Sequence, residues 1–310
     1  MGVDKKRRKI LKTLVAAPVM ATSGILFTPT LIRPQSLNLS KKKQNLKISL
    51  NAYSFNEPLR NGSMSLDDLL EFCAEHGFDA VDLTAYYFPG YPQVPPDDFL
   101  HELKRKAFML GLAISGTGVR NEFADPDERN RKKDITLVKQ WIEAASKIGA
   151  PVIRIFGGHL DTEGYSWEQV AEWMVKDIQE CVEFGKKHGV VVAVQNHNAF
   201  LKTAAQTIRL IEMVNSKWFG LILDIGSYRQ GSPYQEIEKA VPHAVSWQIK
   251  EKVYINEEEE DVDLDKLLKI IKSSEYRGYL PIETLGPGDP KVKVPAFLEK
   301  VRMALEKTKN

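Results

Sequence analysis

Cysteine is scarce in this sequence, because its 310 residues include only Cys73 and Cys181. Each falls at an apolar position of a helical pattern, which predicts two buried, unpaired thiols and no disulfide framework. The sequence also lacks the ~20-residue apolar run that a membrane-spanning helix needs. No glycine-rich dinucleotide fingerprint follows any predicted strand. These absences argue against a disulfide-stapled domain, a stable membrane span and a doubly wound nucleotide-binding fold.

An excess of positive charge is also missing from most of the chain. Of the 43 Lys and Arg residues, ten lie in residues 1–45, where Asp4 is the single member of the 41 acidic residues. The remaining chain therefore carries 33 basic and 40 acidic side chains, a net charge of −7. A nucleic-acid reader normally presents a basic face, so this balance argues against one.

The positive charge is concentrated in the leader, which begins MGVDKKRRKILKTLVAAPVM. A basic start followed by a short apolar run with small residues is typical of an export signal. Arg7 and Arg8 resemble the twin-arginine type, with Ile10 where that signal usually has Phe. An ordinary secretory signal and a membrane anchor are the alternatives. We expect residues 1–45 to be a signal peptide and linker outside the fold, and the protein to be exported to the periplasm.

Strand-like and helix-like segments alternate regularly after the leader. The strand candidates are 47–53, 79–84, 112–116, 151–156, 190–196, 218–224, 244–250 and 278–283. The amphipathic helix candidates are 66–76, 97–110, 128–148, 167–188, 203–215, 234–240, 263–273 and 293–307. Repeated βα units of ~30 residues with apolar strands indicate parallel strands covered by helices. Eight units and no linker predict an α/β chain with one (β/α)8 TIM barrel over residues 46–310.

Polar side chains cluster at the predicted strand ends, where the chemistry of such a barrel is found. The polar residues at or just after strand ends are Asp82, Arg154, His159, Gln195, Asn196, His197, Asp224, Gln248, Lys250 and Glu283. Groups from the fifth to the eighth strand converge on one point if these ends share one face. The pattern predicts a metal or sugar site there.

The strand-end motifs "QNH", "LILDIGS", "SWQIKE" and "LPIETLG" resemble those of the sugar phosphate isomerase/epimerase family, which has a xylose isomerase-like TIM barrel. The resemblance covers residues 46–310. In that family Glu, Asp, His and Glu end strands five to eight and bind one divalent metal, and both Glu residues move protons. The resemblance therefore implies that Asp224 and Glu283 are metal ligands. Gln195 stands at the position of the first Glu and Gln248 at that of the His, so two ligands depart from the pattern.

The two departures change the expected chemistry. A Gln can bind a hard cation through its carbonyl oxygen, so Gln195, Gln248 and the two acids favour Mn²⁺ or Mg²⁺, with Zn²⁺ or Co²⁺ as alternatives. Because an amide cannot accept a proton at ordinary pH, Glu283 is the expected main base. A single base favours chemistry on one face of the substrate through an enediolate, with His197, His159 or Lys250 as candidates for the acid.

A second interpretation of the same residues requires no metal. Gln195 and Gln248 are then core amides that hydrogen-bond each other or the backbone, and Lys250 forms an ion pair with Asp224 or Glu251. This interpretation is compatible with a non-catalytic barrel that binds sugars.

Side chains near the strand ends also indicate the substrate class. Aromatic rings can cover the apolar faces of sugars while polar side chains pair with hydroxyl groups. The candidate substrate-binding residues are Tyr53, Arg154, His159, Asn196 and Trp247. The segment "GPGDPK" after the last strand adds an acid and two prolines without amide donors, which disfavours a phosphate site. An unphosphorylated sugar or keto-sugar is therefore expected.

The sequence thus predicts an exported, metal-assisted sugar isomerase or epimerase with Glu283 as base. The first alternative is a lyase or hydratase that acts on 3-keto-glycosides at the same site, and the second is the sugar-binding barrel. A nuclease like endonuclease IV needs several zinc-binding His residues, but of the six His only His159 and His197 lie near the predicted site. We expect no nucleic-acid partner, and a homo-oligomer is an open alternative to a monomer.

Overall fold

The residues that the computed structural model describes form ten strands, and eight of these strands close into a parallel barrel. The strands are β1 (Leu46–Asn51), β2 (Ala80–Thr84), β3 (Ala113–Gly118), β4 (Val152–Phe156), β5 (Val191–Gln195), β6 (Phe219–Asp224), β7 (Ala244–Lys250), β8 (Lys252–Ile255), β9 (Glu258–Asp261) and β10 (Gly278–Glu283). Around the barrel the order is β1 to β7 and then β10, which pairs with β1. This closed ring confirms the predicted TIM barrel. Strands β8 and β9 form a separate antiparallel hairpin.

Helices connect the barrel strands and cover the outside of the ring. They are α1 (Asn56–Asn61), α2 (Leu66–Glu75), α3 (Asp97–Met109), α4 (Glu128–Ile148), α5 (Trp167–His188), α6 (Ala204–Val214), α7 (Pro233–Ala240), α8 (Leu264–Ser273) and α9 (Pro290–Lys307). Capping boxes at Ser65, Ser166 and Thr203 satisfy the first amide groups of three of them. Gly149 and Gly189 end α4 and α5 with φ of 84° and 70°, a left-handed conformation that suits glycine.

Alternation along the strands places a polar layer above an apolar layer inside the barrel. Val152, Ala193 and Ile222 of β4, β5 and β6 form a small cluster separate from the main core. On each of these strands the residue two positions later points to the same face and is polar. These polar residues are Arg154, Gln195 and Asp224. The main core fills the space between barrel and helices, where Trp141 and Trp247 are among the largest fully buried side chains.

The predicted elements agree with the structure to within three residues at each end. Three elements were not predicted: helix α1 and strands β8 and β9. The acidic run Glu257–Asp261 supplies β9, whose four side chains are all exposed, although such a run is typical of a solvated loop. Cys73 and Cys181 are buried and unpaired, as predicted.

The structure describes residues 45–160, 162–197 and 199–307. The predicted export signal therefore lies outside the described residues except for Asn45, and it stays a prediction. Within the described ranges, no helix is both long enough and apolar enough to cross a membrane.

Candidate active site

A cavity of about 860 Å³ opens at the carboxyl ends of the barrel strands. Most of the predicted site residues line it: Tyr53, Arg154, His159, Gln195, His197, Gln248, Lys250 and Glu283. They come from β4, β5, β7, β10 and the loops that follow strands, because all parallel strands present their carboxyl ends on the same rim. The predicted convergence of these side chains is therefore observed.

Three of the four predicted ligand residues form a hydrogen-bonded group at the floor of the cavity. The Nε2 amide of Gln195 donates to Asp224 Oδ2 and to Gln248 Oε1, both at 2.7 Å. Lys250 Nζ donates to the same Asp224 Oδ2 at 2.7 Å and lies 3.7 Å from Glu283 Oε1. Lys250 thus links Glu283 to the other three residues, which are all buried.

The negative charge of Asp224 and the positive charge of Lys250 stabilise each other. Burial opposes ionisation of Asp224, but the neighbouring Lys250 ammonium outweighs it and holds the pKa of Asp224 below its usual value. Burial also opposes the charge on Lys250, yet Asp224 and Glu283 together raise the pKa of Lys250. For Glu283 the balance is reversed, because burial raises its pKa more than Lys250 lowers it. Glu283 is therefore a stronger base than an exposed glutamate.

His197 and His159 form the wall of the cavity above β4 and β5. Their ring centroids are 4.7 Å apart, and the ring of Phe156 contacts both. Burial lowers the pKa of His197 to about 4, so its imidazole is neutral at pH 7. Its Nδ1 atom is buried without a hydrogen-bond partner among the described residues. A neutral ring can hydrogen-bond a substrate, and the role of His197 as the acid stays a prediction.

Arg154 reaches into the cavity from β4 with part of its guanidinium free. Its Cζ atom lies 4.1 Å from the ring centroid of Phe156, and Nη2 donates to the hydroxyl of Tyr86 at 2.7 Å. Nη1 is buried and has no partner in the described part of the chain. Gly118 makes this position accessible, because a Cβ atom there would lie 2.7 Å from Arg154 Nε. The guanidinium is thus held in place at the cavity wall between Phe156 and Tyr86.

Two predicted substrate-binding residues, Asn196 and Trp247, do not line the cavity, and here the structure corrects the prediction. Asn196 is fully buried, and its amide bonds the backbone N–H and C=O of Asp224 at 2.7 and 2.9 Å. Trp247 is fully buried beside Tyr276 on the outer face of β7. Side chains alternate along a strand, so Trp247 must face away from the barrel when Gln248 faces in.

One wall of the cavity was missed by the sequence analysis. The hairpin β8–β9 contributes Tyr254, whose ring lies 4.2 Å from the Cζ atom of Arg229. Its turn residues Asn256 and Glu257 both have positive φ, 51° and 71°, as in the tight turns of two-residue hairpins. Asn256 was the available signal for this turn, but the acidic run that follows it, Glu257–Asp261, is typical of a solvated loop.

The donor set does not fit a divalent cation in this arrangement. Oδ2 of Asp224 already accepts hydrogen bonds from Gln195 and Lys250, and Oδ1 accepts one from the backbone of Gly226 at 2.9 Å. An ionised carboxylate only accepts, so Gln195 must present its NH₂ group rather than its carbonyl oxygen to Asp224. Within the described residues there is no cluster of three or more His, Cys, Asp or Glu side chains that could hold a metal.

Comparisons with known proteins agree with this architecture. The family model described as xylose isomerase-like TIM barrel matches residues 70–301. A D-psicose 3-epimerase from Clostridium cellulolyticum H10 is 15% identical over 84% of this chain and 99% of its own, with a TM-score of 0.69. A 3-keto-D-glucoside 4-epimerase from E. coli is 16% identical over 84% and 100%, with a TM-score of 0.67. A probable 3-DHS dehydratase from Bacillus anthracis is 19% identical over 83% and 98%, with a TM-score of 0.62. No curated protein sequence matches the chain.

Proposed function

The chain belongs to the xylose isomerase-like TIM barrel family, and we propose that it is an enzyme that isomerises or epimerises a sugar through an enediolate. The observation that carries this proposal is the environment of Glu283. It is the one buried carboxylate among the described residues that line the cavity, and burial raises its pKa. A buried acid with a perturbed pKa in a cleft is typical of a group that moves protons.

The reaction begins when Glu283 removes a proton from the carbon next to a substrate carbonyl group. The electrons move onto the carbonyl oxygen and form an enediolate. Glu283 then returns the proton to the former carbonyl carbon, while the hydroxyl group of the carbon that lost the proton passes its own proton to the former carbonyl oxygen and becomes the new carbonyl group. The ammonium of Lys250 lies 3.7 Å from the carboxylate of Glu283 and can stabilise the negative charge that develops beside it. The side chain of Gln195 cannot act as a second base, which favours isomerisation on one face of the sugar over epimerisation, since epimerisation needs a base on each face.

The cavity wall supports a sugar without a phosphate group as substrate. Tyr53, Tyr86 and Phe156 offer rings for the apolar faces of a sugar, and the side chain of Arg154, which also lines the cavity, offers a guanidinium for its hydroxyl groups. The segment that follows Glu283 contains Pro287 and the acidic Asp289, which disfavour a bound phosphate. Similarity in fold to an epimerase of 3-keto-D-glucoside makes keto-sugars a sensible first choice.

Hydrogen exchange in D₂O tests the proposal directly. The protein is incubated with aldoses, ketoses and 3-keto-glucosides, and loss of individual C–H signals is followed by NMR. We expect exchange next to a carbonyl group in the native protein and its loss in Glu283→Gln. Glu251→Gln is the matched control, because Glu251 lines the same cavity but is partly exposed and pairs with Lys293 at 3.2 Å. Exchange that persists in Glu283→Gln would exclude the proposed base.

A lyase or hydratase reaction on 3-keto-glycosides is the second candidate function. The same proton removal can end in loss of a neighbouring hydroxyl group, and the similarity in fold to a probable dehydratase favours this alternative. The two reactions give different products, since elimination forms an unsaturated keto-sugar with strong ultraviolet absorbance. Sugar binding without exchange or elimination would instead identify a non-catalytic barrel.

We also propose that the protein is exported through a twin-arginine signal in its leader, which contains Arg7 and Arg8. An enzyme outside the cytoplasm would meet few sugar phosphates, which agrees with the proposed substrate. Cell fractionation of the native chain and of the Arg7→Lys/Arg8→Lys variant tests this point. We expect the native chain in the periplasmic fraction and the variant in the cytoplasm. Equal distribution of the two chains would refute the signal.

A further inference from the structure

The ammonium of Lys250 lies between the two acids that end strands β6 and β10. Its Nζ atom is 2.7 Å from Asp224 Oδ2 and 3.7 Å from Glu283 Oε1. Strand β7, which carries Lys250, is hydrogen-bonded to β6 on one side and β10 on the other. The lysine therefore approaches both carboxylates from the strand between them, and its side chain is only 15% exposed.

The other two implied ligand positions are occupied by amides that bond within the group. Gln195 gives its NH₂ group to Asp224 and Gln248, so its donors are used where a metal ligand would need a free oxygen. Gln248 Oε1 accepts one of these bonds. Of the two positions that depart from the family pattern, Gln195 thus donates to the carboxylate beside the ammonium, and Gln248 accepts from Gln195.

A glycine in the next loop makes room for the lysine. A Cβ atom at Gly226 would lie 3.0 Å from Lys250 Cδ, which is closer than ordinary van der Waals contact. The same glycine donates its backbone N–H to Asp224 Oδ1. Gly226 therefore both orients the carboxylate and leaves space for the aliphatic part of Lys250 over the end of β6.

We infer that the ammonium of Lys250 takes the place of the divalent cation that the family resemblance implies, so that this chain needs no metal. A metal ion beside Asp224 would have to displace a buried ammonium of like charge and break the hydrogen bonds of Gln195. The ammonium of Lys250 carries one positive charge and can donate a hydrogen bond to a substrate oxygen. The inference concerns the cation and not the reaction, so it can be tested without a substrate.

Electron paramagnetic resonance of Mn²⁺ measures metal binding directly, because bound Mn²⁺ loses the signal of the free ion. The full chain is stripped with EDTA, dialysed and titrated with Mn²⁺. We expect no stoichiometric binding, and the same titration curve for the native protein and for Asp224→Asn. One tightly bound Mn²⁺ per native chain, with a Kd below about 0.1 mM, that is lost in Asp224→Asn would overturn the inference.

Replacement of Lys250 tests whether its ammonium group is what excludes a metal ion. Lys250→Met keeps the aliphatic volume and removes the charge, which leaves Asp224 and Glu283 without a cation. We expect its Mn²⁺ affinity to rise at least about tenfold over the native protein, with an increase in Tm when Mn²⁺ is added. Lys252→Met is the control, since Lys252 is exposed and pairs with Asp261 instead. If a folded Lys250→Met gains no affinity, the ammonium is not what excludes the metal and the inference fails.

Proton exchange with and without EDTA separates this inference from the proposed reaction. Exchange that is insensitive to EDTA supports both. Stoichiometric Mn²⁺ in the native protein together with EDTA-sensitive exchange would overturn the internal cation and leave the isomerase proposal intact. Absence of exchange in a protein that also binds no Mn²⁺ would refute the reaction and uphold the inference. The Mn²⁺ titrations of the native protein and of Asp224→Asn test the inference even if Lys250→Met does not fold.

Discussion

Replacement of Asn196 tests whether this residue positions Asp224 or binds substrate. Its side chain makes two hydrogen bonds to the backbone of Asp224, at 2.7 and 2.9 Å, in a fully buried setting. Asn196→Ala leaves the buried N–H of Asp224 unpaired, whereas the C=O of Asp224 still accepts from the Ser227 N–H at 3.4 Å. A buried unpaired group costs about 1–3 kcal/mol, so the free energy of unfolding should fall by about that amount. That is a large part of the ~5–15 kcal/mol typical of a folded protein.

The chain contains a matched control in Asn121, which makes the same pair of bonds to the backbone of Phe156, both at 2.8 Å. Urea unfolding followed by circular dichroism should therefore give similar losses for Asn121→Ala and Asn196→Ala. Only the second variant should shift Asp224 and lower kcat. A substrate-binding role for Asn196 predicts a higher KM with the native unfolding midpoint. A free energy of unfolding for Asn196→Ala that lies within about 0.5 kcal/mol of the native value would refute the positioning role.

Three further predictions concern the buried residues Arg131, Asp82 and Gly118. Arg131→Met removes one partner of a buried ion pair with Asp177, whose Nε–Oδ2 distance is 2.6 Å, and should lower stability by about 3 kcal/mol in urea unfolding. Burial raises the pKa of Asp82 to about 6 despite the charge of Arg154, so the folded state binds more protons than the unfolded state between about pH 4 and 6. Stability should fall by roughly 3 kcal/mol as the pH rises through that window, and unfolding curves of Asp82→Asn should lack this slope. Gly118→Ala places a Cβ atom 2.7 Å from Arg154 Nε and should lower kcat/KM roughly 10- to 100-fold, measured by the exchange assay; a native value would exclude a substrate role for Arg154.

The barrel was predictable because its signals are local. Helices α4 and α5 begin and end where the apolar periodicity predicts, at residues 128–148 and 167–188. The strand ends of β7 and β10 follow from apolar runs that stop at a charged residue. The parallel ring then brings those ends together without any further information, which explains why Asp224, Lys250 and Glu283 could be expected at one point.

What the sequence could not supply is the partner of each side chain. The sequence alone was compatible with Gln195 as a metal ligand and with Gln195 as a core amide. The 2.7 Å distance from its Nε2 atom to Asp224 Oδ2 favours the core amide. Alternation within β7 sends Trp247 outward, but its register was needed to know which of two neighbouring residues faces in. Asn196 follows the last residue of β5, where the strand turns, and period-two alternation no longer assigns its direction.

The pairing of β1 with β10 joins the first strand of the barrel to the last, from Leu46 beside Gly278 to Leu50 beside Ile282. During translation, a nascent chain that has not yet released Gly278–Glu283 from the ribosome has two open strand edges and no Glu283. Closure of the ring and the arrival of Glu283, the proposed base, at the cavity are therefore the same event. A prematurely terminated product lacks Glu283 and, through its unpaired edges, is a candidate for aggregation and degradation.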